Sequence, residues 1–312
     1  MAGTGTSSDP YIVTTYTDLI AKIANPDSLS EVFIKIGADI NITEEYPFGD
    51  MPVMDLHNHK TNIDGDGHEI TNWYYIGNSD MITCANDRTK ETNIKNLRFT
   101  NIVFKPNSSS KVFLKADSVA SNNYDQPAFE NCEFVGISYA NFMQWSMYGD
   151  FKAFRQCSFN IFFDGSSNSL TGSTGGIPFE SCYVRITSNR TGAGTPILQN
   201  NGGYTIAYIP SNSYFELIFP NVQTDAQPYA CTCQFDNCVI YLDTPGGSEY
   251  GSKGQFGNSA GVTGLSLSII NLSHATGWEV KSDAKNLTAV TDQNWHDISY
   301  LQSIGFKAGV RA

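Results

Sequence analysis

The chain has 312 residues, enough for one long repeat array or two ordinary domains. Charged side chains make up 16% against 40% hydrophobic, a charge content well below the usual quarter of a soluble domain, and Asn, Ser, Thr and Gly fill the difference. The net charge of -12 excludes the clustered cations of a nucleic-acid binder and disfavours an anionic membrane surface, so neither is expected as a partner. "MAGTGTSSDPYIV" has neither the basic start nor the apolar run of a signal peptide. No stretch approaches the roughly 18 apolar residues that span a bilayer. The expectation is a protein made in a cytoplasm that stays off the general secretory route. "GTGTSS" lacks a preceding strand and a following Lys, so it does not read as a phosphate cradle.

"TTYTDLIAKIA", Thr14 to Ala24, sets Leu19, Ile20 and Ile23 at helical spacing with Thr17 as candidate N-cap, and predicts a short helix. Further on, "DLHNH" alternates Asp55, His57 and His59 along one strand face. Residues i to i+4 on a strand span about 13 Å, too far to share one ion, so no metal site is expected. In "IDGDGHEI", Asp64 and Asp66 sit in a glycine-punctuated turn where Asp side chains cap local N–H groups. "NWYYIG", Asn72 to Gly77, reads as core or as a sugar-stacking patch.

The strongest signal follows. "FENCEF" (Phe129 to Phe134), "FRQCSF" (Phe154 to Phe159) and "FESCYV" (Phe179 to Val184) return at a spacing of 25 residues. Phe129, Phe154 and Phe179 fall in step, as do Cys132, Cys157 and Cys182. The frame extends backward to Ile94, Leu97 and Phe99. Forward, it reaches Pro210, Ser213 and Phe215, then Phe235, Cys238 and Ile240, then Leu267, Ile270 and Leu272. The intervals are 35, 25, 25, 31, 25 and 32 residues, as if loops were inserted into a coil of fixed circumference. Within a copy, positions four and six share a face, the period of a strand. Helical repeats need about 33 to 47 residues with long 3.6-periodic runs, which are absent. The Leu-x-Leu frame and Asn ladder of a leucine-rich repeat are not evident either.

A single-stranded right-handed parallel β-helix is therefore predicted, an all-β stack in which each rung buries its apolar face on the next. Open ends of such a stack invite aggregation, so helical caps are expected at both. The second cap would be "DQNWHDISYLQSIGF", Asp292 to Phe306, with Trp295, Ile298, Leu301 and Ile304 on one stripe and Gly305 as its stop. The expected organisation is an N-terminal cap or attachment segment over 1–30, the β-helix over 31–275, and a C-terminal capping or attachment segment over 276–312.

Seven cysteines are an odd count. In-register thiols on stacked parallel strands sit about 4.8 Å apart with parallel Cβ atoms, whereas a disulfide wants them near about 3.8 Å. A ladder of reduced, buried thiols is expected. "CTC" at Cys231 to Cys233 is too short for a zinc pair.

For chemistry, glycoside hydrolysis needs two carboxyl groups across a cleft. Asp64, Asp66 and Asp164 in "FFDGSSN" each read as turn aspartates, with no second acid returning at the coil period. No Ser/His/Asp set or redox pair stands out. No catalytic residue is assigned, no cofactor is expected, and the reading leans away from an enzyme. "SYANFMQWSMYGDF" holds Tyr139, Phe142, Trp145, Tyr148 and Phe151, a set that fits core, a subunit interface or a glycan-binding patch.

The opening "GTGTSSDPYIVTTYTDL", with "IKIGADINI" and "NIDGDGHEI", resembles the first coils of the pectate-lyase-like β-helix proteins common in bacteriophages. The ending "NLTAVTDQNWHDISYLQSIGF" is similar to C-termini of phage virion proteins. The resemblance implies a homotrimer attached to the virion as a tail, appendage or capsid-fibre component. It implies other virion proteins as partners, assembly in the host cytoplasm, and host surface polysaccharide as a further contact. Lyases of this fold use an Arg or Lys base and acids that hold calcium. The expected function is structural and adhesive; a glycan depolymerase on the same scaffold is the alternative.

Overall fold

A computed structural model of the chain describes residues 2–24, 31–46, 54–55, 60–73, 82–84, 97–106, 114–119, 129–138, 143–147, 154–163, 179–189, 210–221, 235–244, 255–256, 266–275, 277–280, 286–290, 299 and 303. The architecture is a right-handed parallel β-helix whose described strands form three main sheets and one two-stranded pair, Gln255–Phe256 with Glu279–Val280. The first sheet has seven strands, from Tyr11–Val13 through Glu31–Ile36, Lys60–Asp64, Leu97–Thr100, Phe129–Glu130 and Phe154–Arg155 to Phe179–Glu180. The second has ten, beginning at Ile40–Asn41 and ending at Leu287–Val290. The third contains Met54–Asp55, Ile82–Cys84, Leu114–Val119 and Met143–Met147. The strands in these sheets pair in parallel, each with its equivalent one rung away.

Register explains the hexapeptide. Phe99, Phe129, Phe154 and Phe179 are successive Cα partners in the first sheet. Phe104, Phe134, Phe159, Val184, Phe215, Ile240 and Ile270 are successive partners in the second. Both rows are buried. Ring pairs along a row are mostly near-parallel, Phe129 and Phe154 at 5.0 Å and 12°, with Phe154 and Phe179 tilted at 31°. Between rows they meet edge-on, Phe154 and Phe159 at 5.1 Å and 77°. Both are favoured geometries for ring quadrupoles.

Register also corrects two of the repeat copies. Phe99 opens its copy, "FTNIVF", and does not close "IKNLRF"; the interval to Phe129 is 30 residues. At the other end, Val239 pairs with Ile269, so Ser268 stands where Cys238 does, and the copy containing Ile270 begins two residues earlier than Leu267. Leu267 is 57% exposed, on the outer side. Consecutive Leu, Ile and Val residues offer several self-consistent frames, and only backbone pairing selects one.

The corner between the first and second sheets contains just two residues in most rungs. Its first residue has positive φ: Asn101 (57°), Asn131 (55°), Gln156 (55°), Ser181 (54°), Asn212 (50°) and Asn237 (51°). Asn tolerates this region better than other non-glycine residues because its short amide bonds locally. Its N–H donates to the next rung, as from Asn131 to the Arg155 carbonyl at 3.0 Å, so the ladder turns the corner unbroken. The amides also bond to one another: Asn131 Nδ2 to Asn101 Oδ1 at 2.6 Å, and Asn237 Nδ2 to Asn212 Oδ1 at 2.7 Å. An asparagine ladder is therefore present at this corner, outside any leucine-rich frame. At the earlier corner Gly65 is required by proximity, since a Cβ there would lie 2.4 Å from the Asn101 carbonyl oxygen.

The second corner residue points inward. Cys132, Cys157, Cys182 and Cys238 are free and buried, with Ser213 and Ser268 in the same row. Each thiol reaches two carbonyls, Cys157 Sγ lying 3.5 Å from Phe129 O and 3.4 Å from Arg155 O. Burial pushes the Cys157 thiol well above the usual range and that of Cys238 up to about 12.

At the N-terminal end, Tyr16–Ala24 forms the expected helix and buries Tyr16, Leu19 and Ile23. Its N-cap is Thr15, not Thr17, since Thr15 Oγ1 accepts from the Asp18 N–H at 3.1 Å. Glu45 adds a second cap from the following rung, accepting from the Tyr16 N–H at 2.5 Å and the Thr17 N–H at 2.9 Å. Ser299 and Ser303 are helical, and the rest of the anticipated C-terminal cap lies outside the described residues.

Candidate functional site: a groove beside the corner ladder

Outward-facing residues of the first sheet are also held in register. Lys35, Asp64, Thr100, Glu130, Arg155 and Glu180 form one row of Cα partners, and Phe33, Asn62 and Arg98 a second. Period-2 alternation puts these rows on the outside because Ile34, Ile63 and Phe99 between them face the core. Ionic contacts run along the sheet. Arg98 Nη2 donates to Glu130 Oε2 at 2.7 Å, Arg155 Nη1 lies 3.9 Å from Glu130 Oε1, and Arg155 Nε donates to Glu180 Oε2 at 3.1 Å. These side chains are half-buried, so screening weakens the pairs less than at a fully exposed surface.

At the N-terminal half of these rows lies a groove of about 640 Å³. Phe33 and Pro10 form its apolar end, and Thr100, Asn131 and Gln156 continue its wall. Its ionic residues are Lys35, Asp64, Arg98 and Glu130, two of each sign. Lys35 Nζ sits 2.8 Å from Asp66 Oδ2. That hydrogen bond raises the Lys35 pKa and lowers that of Asp66. Asp64 Oδ1 accepts from the Asp66 N–H at 3.1 Å and from Asn101 Nδ2 at 2.9 Å, the local capping expected of this turn. Nearby, the Glu69 N–H and then His68 hold the Asp39 carboxyl below its usual range.

No protein-family model and no curated protein matches the chain. A solved structure is similar. It is that of a "putative immunoglobulin A1 protease" from Bacteroides ovatus, 16% identical, with 93% of this chain and 82% of that one covered and a TM-score of 0.40. Likeness this loose carries nothing about chemistry.

The residues singled out from sequence fall unevenly. Phe129, Phe154, Phe179, Cys132, Cys157 and Cys182 are brought together in the core rows. Of the aromatic patch, Trp145 belongs to the strand Met143–Met147, its Cα paired with Ala116, while Tyr139, Phe142, Tyr148 and Phe151 lie outside the described residues. Asp55 is in the strand Met54–Asp55; His57, His59 and Asp164 lie outside the described residues. Among the described residues no group of three His, Cys, Asp or Glu side chains converges as a metal site. The groove was not anticipated. The second letter of each repeat copy, Thr100, Glu130, Arg155 and Glu180, marks the outer row that the groove borders, and its last three members alternate in charge once the copies are aligned.

Proposed function

We propose that the chain is a structural and adhesive protein of a bacteriophage particle, a homotrimeric tail, appendage or capsid-fibre component that contacts host surface glycan. The observation that supports it best is the commitment of outward polar side chains to one another. Arg98, Glu130, Arg155 and Glu180 brace neighbouring rungs. A shaft built this way resists local opening and offers a long, invariant surface for attachment. The resemblance of the opening and closing segments to phage β-helix proteins supplies the virion setting, with other virion proteins as partners.

Mass spectrometry and a reconstruction of purified particles test the reading: the chain should appear in multiple copies, and its absence from the particle would overturn it. Light scattering after size exclusion should give three chain masses, and a clean monomer would remove the trimer.

One observation favours the alternative, a glycan depolymerase. Asp64 and Glu130 are two rungs apart in one outer row, so their Cα atoms stand roughly 9 to 10 Å apart. Inverting glycosidases hold their carboxyl groups about 6.5 to 9.5 Å apart. Against it, both Glu130 oxygens face guanidinium groups. Incubation with host envelope polysaccharide should release no reducing ends; release abolished by Asp64→Asn and by Glu130→Gln would reverse the assignment.

A further inference from the structure

We infer that the groove beside the corner ladder binds an extended, uncharged, hydroxyl-rich polymer, a neutral glycan, along the direction in which the rungs stack. The inference rests on the adhesive reading and gives it a site and a ligand class.

Charge comes first. The groove's ionic residues cancel, Lys35 and Arg98 against Asp64 and Glu130, within a chain of net charge -12. A polyanion such as a uronate polymer or nucleic acid would meet a repelling body and no surplus cation to release its counterions. Hydrogen-bonding capacity points the same way. Asn62 Oδ1, the Thr100 hydroxyl, Asn131 Oδ1 and the whole Gln156 side-chain amide have no hydrogen-bond partner among the described residues. They line the groove on four successive rungs. One neutral group per rung, stepping across the sheet from Asn62 through Thr100 to the corner residues Asn131 and Gln156 while each rung advances about 4.8 Å, suits a ligand that repeats its hydroxyls at a similar advance. Extended pyranose chains do so.

Shape supplies the third part. Phe33 and Pro10 close one end with an apolar surface. Pyranose rings present a C–H face to such surfaces while their edges keep hydrogen bonds, the mixed lining typical of small-ligand sites.

The test uses the full chain and affinity electrophoresis in gels containing dextran, galactomannan or xylan, with polygalacturonate as the charged comparator. At least one neutral polymer should retard the protein. Retardation should change less than about twofold between about 50 and about 500 mM salt. Phe33→Ala removes the apolar end, and Thr100→Lys puts a surplus cation in the middle; each should weaken neutral binding about tenfold. Thermal melts establish that each variant is folded, and Thr100→Lys, altering an outward side chain only, stands in if Phe33→Ala is not. Preference for polygalacturonate, or retardation unchanged in folded variants, would overturn the inference. Host envelope fragments retained equally by wild type and variants would also overturn it while leaving the adhesive reading standing. Failure to retain any envelope polymer would remove both.

Discussion

Asn131 donates its side-chain amide to the Asn101 side-chain carbonyl at 2.6 Å, across the gap between two rungs and from a backbone at φ 55°. The same geometry recurs from Asn237 to Asn212. Between these pairs the corner holds Gln156 and Ser181 at φ 55° and 54°, and the amide ladder breaks. Gln and Ser occupy the left-handed region less readily than Asn.

Gln156→Asn and Ser181→Asn together should therefore stabilise the fold. Relief at two left-handed positions and new inter-rung bonds are worth about 1 to 2 kcal/mol in all. Urea denaturation reads this as a higher midpoint with unchanged slope. An unchanged or lower midpoint would contradict a stabilising ladder.

Phe154 packs against the rings of Phe129 at 5.0 Å, Phe134 at 5.6 Å, Phe159 at 5.1 Å and Phe179 at 5.5 Å. Phe154→Ala should cost about 3 to 5 kcal/mol, since rigid neighbours on both sides keep the cavity from collapsing. Leu in its place should cost less. Equal losses for the two variants in denaturant titrations would contradict a packed aromatic row.

Cys157 and Cys238 make stability fall at alkaline pH. Burial raises the pKa of Cys157 and pushes that of Cys238 up to about 12, whereas an unfolded thiol titrates near about 8.5. Above the unfolded value the folded chain still holds protons that the unfolded chain has lost. Stability is thus full below that pH and declines as pH rises toward the folded value, by roughly 1.4 kcal/mol per pH unit for each such thiol. Cys238→Ser should flatten the slope at modest cost, because Ser213 already fills this row and donates to Ser211 O at 2.8 Å. Native protein should leave Cys132, Cys157, Cys182 and Cys238 unreactive toward a thiol reagent, and denaturant should expose them.

Glu45 holds two N–H groups of the Tyr16–Ala24 helix from 28 to 29 residues away. Glu45→Ala should cost about 1 to 2 kcal/mol, comparable to loss of an N-cap. Hydrogen exchange should accelerate at Tyr16 and Thr17 while the Phe129 to Phe179 rungs stay protected. Exchange unchanged at those two amides would mean Thr15 alone suffices.

The β-helix was legible because inward side chains of one rung must match those of the next, so the same residue types return wherever the backbone completes a turn. Phe, Cys and a second apolar residue at a spacing of 25 carried that constraint in plain view. Loops changed the interval and Ile and Leu runs blurred the frame, which is why Phe99 and Leu267 were placed a few residues out of step. The groove needed three dimensions. Lys35, Asp64, Arg98 and Glu130 are 29 to 34 residues apart from one to the next, and none is distinctive alone. Backbone pairing sets them side by side, and their near-cancelling charge belongs to that juxtaposition. Side chains facing the core must fit equivalent neighbours and so repeat; those facing solvent are free to differ, and their meaning emerges only from who stands beside them.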